Sequence, residues 1–144
     1  MDRTELARRI FADDTFATRQ TGIKIDTVDS DSCICSLAVD ARHRNAKGAV
    51  MGGVLFTLAD FAFAVAANSE ALPPEQNTEE PLLEWVSSSS TIHFINAVKG
   101  DVLSASASCI KKGRLQALYQ ITITDNRDTK VALITTTGTR VQKK

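Results

Sequence analysis

GGVLFTLADFAFAVAA, residues 52–67, is an almost unbroken apolar run that carries one charge, Asp60, near its middle. At this length the run is expected to be a helix rather than a strand. A helix that is apolar on nearly all sides belongs in a core. An isolated carboxylate in such surroundings carries a large desolvation cost unless something offsets it or it stays protonated. Asp60 is therefore expected to be buried. Two glycines open the run, where free backbone N–H groups and the helix dipole favour negative charge. A buried acid and an anion-friendly helix start, in one short segment, are parts of an active site.

Outward from this helix the pattern is mixed. Thr4 to Ala12 reads as a short amphipathic helix with Thr4 as N-cap and Leu6, Ala7 and Ile10 turned inward. Gly22 to Val28 and Ser32 to Val39 read as two strands joined by the turn-rich Asp29-Ser30-Asp31. A polar loop, Asp40 to Gly48, leads to the central helix, which is expected to end near Asn68 because Pro73-Pro74 cannot continue it. Ala71 to Pro81 is polar and proline-containing and is expected to be a mobile loop. Four further strands follow over Trp85 to Phe94, Asp101 to Lys112, Leu115 to Asp125 and Lys130 to Arg140, with hairpin turns at Lys112-Gly113 and Asp125 to Asp128. The many small residues in these strands allow a sheet to curl closely around a helix. The expected fold is α+β: one long central helix wrapped by a curved antiparallel sheet of about six strands, preceded by a short N-terminal helix. The open sheet leaves exposed edges, so pairing between subunits is expected.

The 144 residues are expected to form one domain, residues 1–144. The formal net charge of zero gives no basic field for a nucleic-acid partner. No signal-peptide pattern precedes the first helix, and the longest apolar run is too short to cross a bilayer, so a soluble, cytoplasmic protein without a membrane partner is expected. Cys33, Cys35 and Cys109 are odd in number, which argues against a disulfide framework. They read as small buried hydrophobes; a metal site joining Cys33 and Cys35 to His43 matches no standard zinc spacing. No metal and no separate cofactor is expected.

The stretch from Arg44 to Asp60 contains Asn45, then the Gly52-Gly53 pair, then Leu58-Ala59-Asp60 on the helix. This spacing resembles the hot-dog-fold acyl-CoA thioesterases, most closely the phenylacetate-degradation type, and the likeness extends over roughly Gly22 to Arg140. It implies the hot-dog fold and hydrolysis of an acyl-CoA thioester to free acid and coenzyme A, the latter entering as part of the substrate. It implies that the Gly52 N–H polarises the thioester carbonyl with Asn45 assisting, and that Asp60 activates water or attacks directly. Ser87 matches a family position whose hydroxyl places that water, with Ser89 as its competitor because strands alternate. The resemblance also implies that Gly53 and Met51, next to Gly52, contact the substrate. The basic hairpin Lys112-Gly113-Arg114, with Lys111, is either a solvated turn or a contact for the phosphates of coenzyme A; Lys47 and Lys99 are less specific candidates. The family commonly has His immediately before the Gly-Gly pair, where this chain has Met51, which can neither donate a hydrogen bond nor hold charge.

Geometry adds an independent expectation. Gly52 and Asp60 are eight residues apart, about 12 Å along one helix, too far to touch one carbonyl. The site then needs Gly52 of one chain and Asp60 of another, so a dimer or tetramer is expected. The competing functions are a non-catalytic acyl-CoA sensor of the same fold, a hydratase (disfavoured because the helix carries no His), and a purely structural homodimer, which leaves Asp60 unexplained.

Overall fold

A computed structural model describes residues 2–72 and 82–141. Part of the Ala71 to Pro81 connection, residues 73–81, lies outside these. The elements in chain order are α1 (Arg3–Phe11), β1 (Lys24–Asp29), β2 (Ser32–Ala38), α2 (Gly52–Ala67), β3 (Trp85–Phe94), β4 (Val102–Lys112), β5 (Gln116–Asp125) and β6 (Lys130–Arg140). The six strands form one antiparallel sheet in the order β1-β2-β4-β5-β6-β3, so β1 and β3 are its edges. With α2 packed on one face of this sheet, the architecture is the hot-dog fold that the sequence implied.

The sheet's inner face is built by alternation. Cys33, Cys35 and Leu37 of β2, Leu103, Ala105 and Ala107 of β4, and Tyr119, Ile121 and Ile123 of β5 are all buried against the helix. The alanines leave room for α2 to sit close, and the helix fills that room with Leu58, Phe61, Ala62, Phe63 and Val65. Phe63 meets Tyr119 edge-on with ring centroids 5.5 Å apart. Each fully buried large side chain contributes about 1.5–3 kcal/mol. Gly138 of β6 is required by the same packing, because a Cβ there would lie 2.8 Å from Phe63 Cζ.

Two polar clamps fix the C-terminal end of α2. The buried Asn68 side chain donates to the carbonyls of Ala64 (2.8 Å) and Trp85 (3.1 Å) and accepts from the Trp85 N–H (2.9 Å). Lys112 Nζ donates to the Ala67 carbonyl (3.2 Å) and pairs with Asp31 (2.6 Å), which also accepts from the Tyr119 hydroxyl (3.0 Å). A cation at a helix C-terminus complements the dipole there. Burial, then the Asp31 charge, pushes the Tyr119 hydroxyl well above the usual tyrosine range.

Three local readings change. The N-cap of α1 is Asp2, which forms a capping box with Glu5, while Thr4 turns its hydroxyl to the Val28 N–H at 3.0 Å. A π-helical turn over Phe16–Thr21, closed by Gly22 at φ 91°, precedes β1 and delays its start to Lys24. The largest change concerns Asp60. In the single chain it is exposed, because the sheet covers only part of the helix and leaves Gly53, Phe56 and Asp60 on an open stripe.

Candidate active site

The loop before α2 is built around two side chains. His43 is buried; its Nδ1 accepts from the Asp40 N–H (2.9 Å) and its Nε2 donates to the Thr21 carbonyl (2.7 Å), which fixes the orientation of the ring. Both nitrogens are thereby committed to the fold, and no group of His, Cys, Asp and Glu suited to a metal exists among the described residues. The His43 carbonyl in turn accepts from the Met51 N–H at 2.9 Å, which aims the start of α2. Asn45 shapes the bend: its Oδ1 accepts from the N–H groups of Lys47 (2.9 Å) and Ala49 (3.1 Å). Its Nδ2 finds no partner among the described residues and is free to donate.

Met51 is the N-cap of α2, with no side-chain capping bond, and is exposed. The N–H groups of Gly52 and Gly53 have no acceptor among the described residues. Two aligned donors at the positive end of a sixteen-residue helix form an anion-binding end. Gly52 lines a cleft of about 460 Å³, walled by Val50, Leu55, Phe94, Ile95 and Val98, with Arg44 and Asn96 as its polar side chains, whereas Gly53 is outside that lining. Phe94 stands directly over Gly52: a Cβ on the glycine would lie 3.0 Å from the ring.

Asp60 lies outside this cleft, two turns further along the same helix. Its surroundings include a residue that the sequence reading missed. The Asp14 carboxyl is held above the usual carboxylate range, first by partial burial and then by the charges of Asp13 and Asp60. The turn carrying Asp14 is docked beside α2 by the edge-on contact of Phe11 with Phe61, at 5.9 Å. No local pattern in the sequence points to this approach, since the charge of Asp60 reaches Asp14 only through tertiary packing.

Strand β3 runs antiparallel alongside α2, with Phe94 against Gly52 at one end and Trp85 tied to Asn68 at the other. Asp60, halfway along the helix, is therefore level with the serine run. A β-bulge between Ser87 and Ser89 breaks strict alternation. Ser87 pairs with Gly138 and faces the helix side, whereas Ser89 pairs with the outward Thr137. The two serines thus point to opposite faces, and simple alternation misplaces Ser89. Ser88 and Ser90 spend their hydroxyls on Thr137 and Thr136, while Ser87 has no such bond among the described residues.

At the β4–β5 hairpin the ammonium of Lys112 is already held by Asp31 and the α2 terminus. Gly113 closes the turn through its N–H to the Gln116 carbonyl (2.7 Å), and Arg114 is exposed.

A profile of the thioesterase superfamily matches residues 47–132, which span α2 and strands β3 to β5. The chain belongs to the thioesterase superfamily. Within it, the chain is 32% identical over 128 residues to the acyl-coenzyme A thioesterase PaaI of Escherichia coli K12, covering 88% of this chain and 83% of that protein. The solved structure of the E. coli PaaI protein superposes with a TM-score of 0.82 at 28% identity, covering 97% of this chain and 94% of that one. A thioesterase protein from Streptococcus pneumoniae, solved with coenzyme A, shares the fold at a TM-score of 0.77 and 23% identity, covering 93% and 98%.

Proposed function

We propose that the protein hydrolyses an acyl-CoA thioester to the free acid and coenzyme A, and that it does so as a homo-oligomer with each site shared by two chains. The observation that carries the reading is the unpartnered N–H of Gly52, on a cleft at the start of a helix whose open stripe bears Asp60. In the reaction the thioester carbonyl oxygen lies on the Gly52 amide, with the free Asn45 Nδ2 as a second donor. Negative charge that develops on this oxygen is stabilised by donors already oriented before reaction. Asp60 of the second chain removes the proton from water or attacks the carbonyl itself, and Ser87 holds the water. The C–S bond then breaks and coenzyme A leaves as its thiolate, which takes up the proton that Asp60 removed from water; where Asp60 attacks directly, water afterwards cleaves the acyl-Asp60 anhydride to release the acid.

The sharing of the site follows from arithmetic on one helix. Gly52 and Asp60 are separated by about 12 Å. If α2 packs antiparallel on its own copy with the two-fold axis midway between these residues, each Asp60 reaches the other helix's positive end. The midpoint is Phe56, exposed on the same stripe. The free edge of β3 supports the same pairing, because it lies beside this stripe and is open to a second β3. An acyl-CoA substrate also argues for a cytoplasmic enzyme, and no helix among the described residues is long and apolar enough to cross a membrane.

The test is thiol release from a panel of acyl-CoAs. Asp60→Asn is expected to lower turnover by about 10²- to 10⁴-fold with an unchanged fold by circular dichroism. Hybrids of Asp60→Asn chains with Asn45→Ala chains should regain one working site per dimer. Undiminished hydrolysis by Asp60→Asn, or an active monomer in ultracentrifugation, sinks this mechanism. Binding of acyl-CoA without turnover by the wild type selects the sensor function instead.

A further inference from the structure

The basic hairpin around Gly113 is the obvious place for the phosphates of coenzyme A, but its best cation is occupied. Lys112 Nζ lies 2.6 Å from Asp31 and also caps α2, so recruiting it to a phosphate would break a half-buried ion pair and a helix end. The cleft at Gly52 offers a different arrangement. Its walls are apolar along Phe94, Leu55 and Val98, and Arg44 lies among them. One N–H of the Arg44 guanidinium bonds the Gly48 carbonyl at 3.0 Å, which steadies the side chain and leaves most of its five donors unused. Lys47 and Lys99 are exposed next to the lining residues Gly48 and Val98. None of these three cations takes part in an ion pair among the described residues.

A cleft that adjoins the Gly52 N–H, has apolar walls with one amide side chain, Asn96, and carries the unpaired Arg44, with Lys47 and Lys99 next to its lining in the chain, has the chemistry of a pantetheine arm followed by phosphates. A purely hydrocarbon acyl chain leaves the cations unexplained, and a lone acyl carboxylate needs only one of them. Building on the acyl-CoA reading above, we propose that Arg44, with Lys47 and Lys99, holds the phosphates of coenzyme A at the rim of the Gly52 cleft, and that the Gly113 hairpin does not. Arg44 acts by planar, charge-assisted hydrogen bonds, the two lysines by charge alone.

The test measures binding of free coenzyme A and of pantetheine, which lacks the phosphates, by calorimetry. Arg44→Met is expected to weaken coenzyme A about tenfold, the scale of charge-assisted bonds at a partly solvated site, and to leave pantetheine unaffected. Arg44→Lys should fall between, and wild-type affinity for coenzyme A should drop with added salt. An equal loss for both ligands shows a disturbed loop and overturns the proposal. So does unchanged coenzyme A affinity, even if KM rises for dicarboxylic acyl-CoAs, because Arg44 then reads the acyl group. A larger loss from Arg114→Met than from Arg44→Met returns the phosphates to the hairpin and overturns it as well. Arg44-dependent coenzyme A binding in a protein that hydrolyses no acyl-CoA supports the phosphate site while refuting the catalytic reading, so the two are separable.

Discussion

A Cβ placed on Gly52 meets Phe94 Cζ at 3.0 Å and Cε1 at 3.2 Å, so this glycine is fixed by a neighbour rather than by backbone conformation. The neighbour is the far end of an exposed side chain, which can swing aside at little cost. Gly52→Ala is therefore expected to fold normally, with melting unchanged or slightly raised because alanine is the better helix former. The displaced ring, however, enters the cleft next to the amide donor. We expect kcat/KM to fall about tenfold, as small misplacements at a reacting centre do, and Phe94→Leu in the same chain to restore much of it. A loss that the second change fails to relieve would mean that the ring does not wall the substrate path. Gly52 and Asp60 were legible in the sequence because both lie in one strongly patterned segment. Phe94 was not, because it reaches Gly52 from the far end of an edge strand. The serine assignment was half legible: the run was visible, but the bulge that turns Ser87 and Ser89 to opposite faces has no side-chain signature.

The elements themselves follow the sequence closely where they are long. α2 begins and ends where the apolar run does, and β3 and β6 match their expected spans, since ten or more patterned residues leave little ambiguity. The π-helical turn at Phe16–Thr21 was not legible, because six mixed residues carry no period. Among the turns, the end of β5 carries the sharpest electrostatic feature. Asp125 accepts from the N–H groups of Lys99, Gly100, Arg127 and Thr129, at 2.8–3.0 Å. Although burial opposes ionisation, these backbone donors hold its carboxyl far below the usual carboxylate range. A depressed folded-state value contributes stability above the unfolded carboxylate pKa of about 3.9, and loses it as pH falls through the folded value. Asp125→Asn should therefore lower the melting temperature clearly at pH 7, and the gap to wild type should narrow progressively below about pH 4. A gap that stays constant down to pH 2 would show that the carboxylate charge contributes nothing.

At the scale of the molecule, the sequence reading took an all-round apolar helix to be an all-round buried one. A helix buried within its own chain and a helix buried partly by a second chain have the same composition, and only the three-dimensional cover distinguishes them. The open stripe of Gly53, Phe56 and Asp60 therefore marks where a copy is expected, with Phe56 at the two-fold axis. Phe56→Arg places two like charges face to face there. It should yield monomers by sedimentation, with secondary structure retained and kcat/KM reduced by about 10²-fold or more, since neither half-site can then complete the other. An oligomer of wild-type activity would remove Phe56 from the axis.

The Asn68 amide, bonded to both sides of the Trp85 peptide, has a consequence for engineering. Sixteen residues separate Asn68 from Trp85 in the sequence, yet the two ends are stapled together by two hydrogen bonds that owe nothing to the segment between them. Closing a longer segment on the same staple costs only about 0.6 kcal/mol per doubling of its length. An epitope or a reporter peptide spliced in after Pro74 is thus expected to leave the register of the edge strand and the packing of α2 undisturbed.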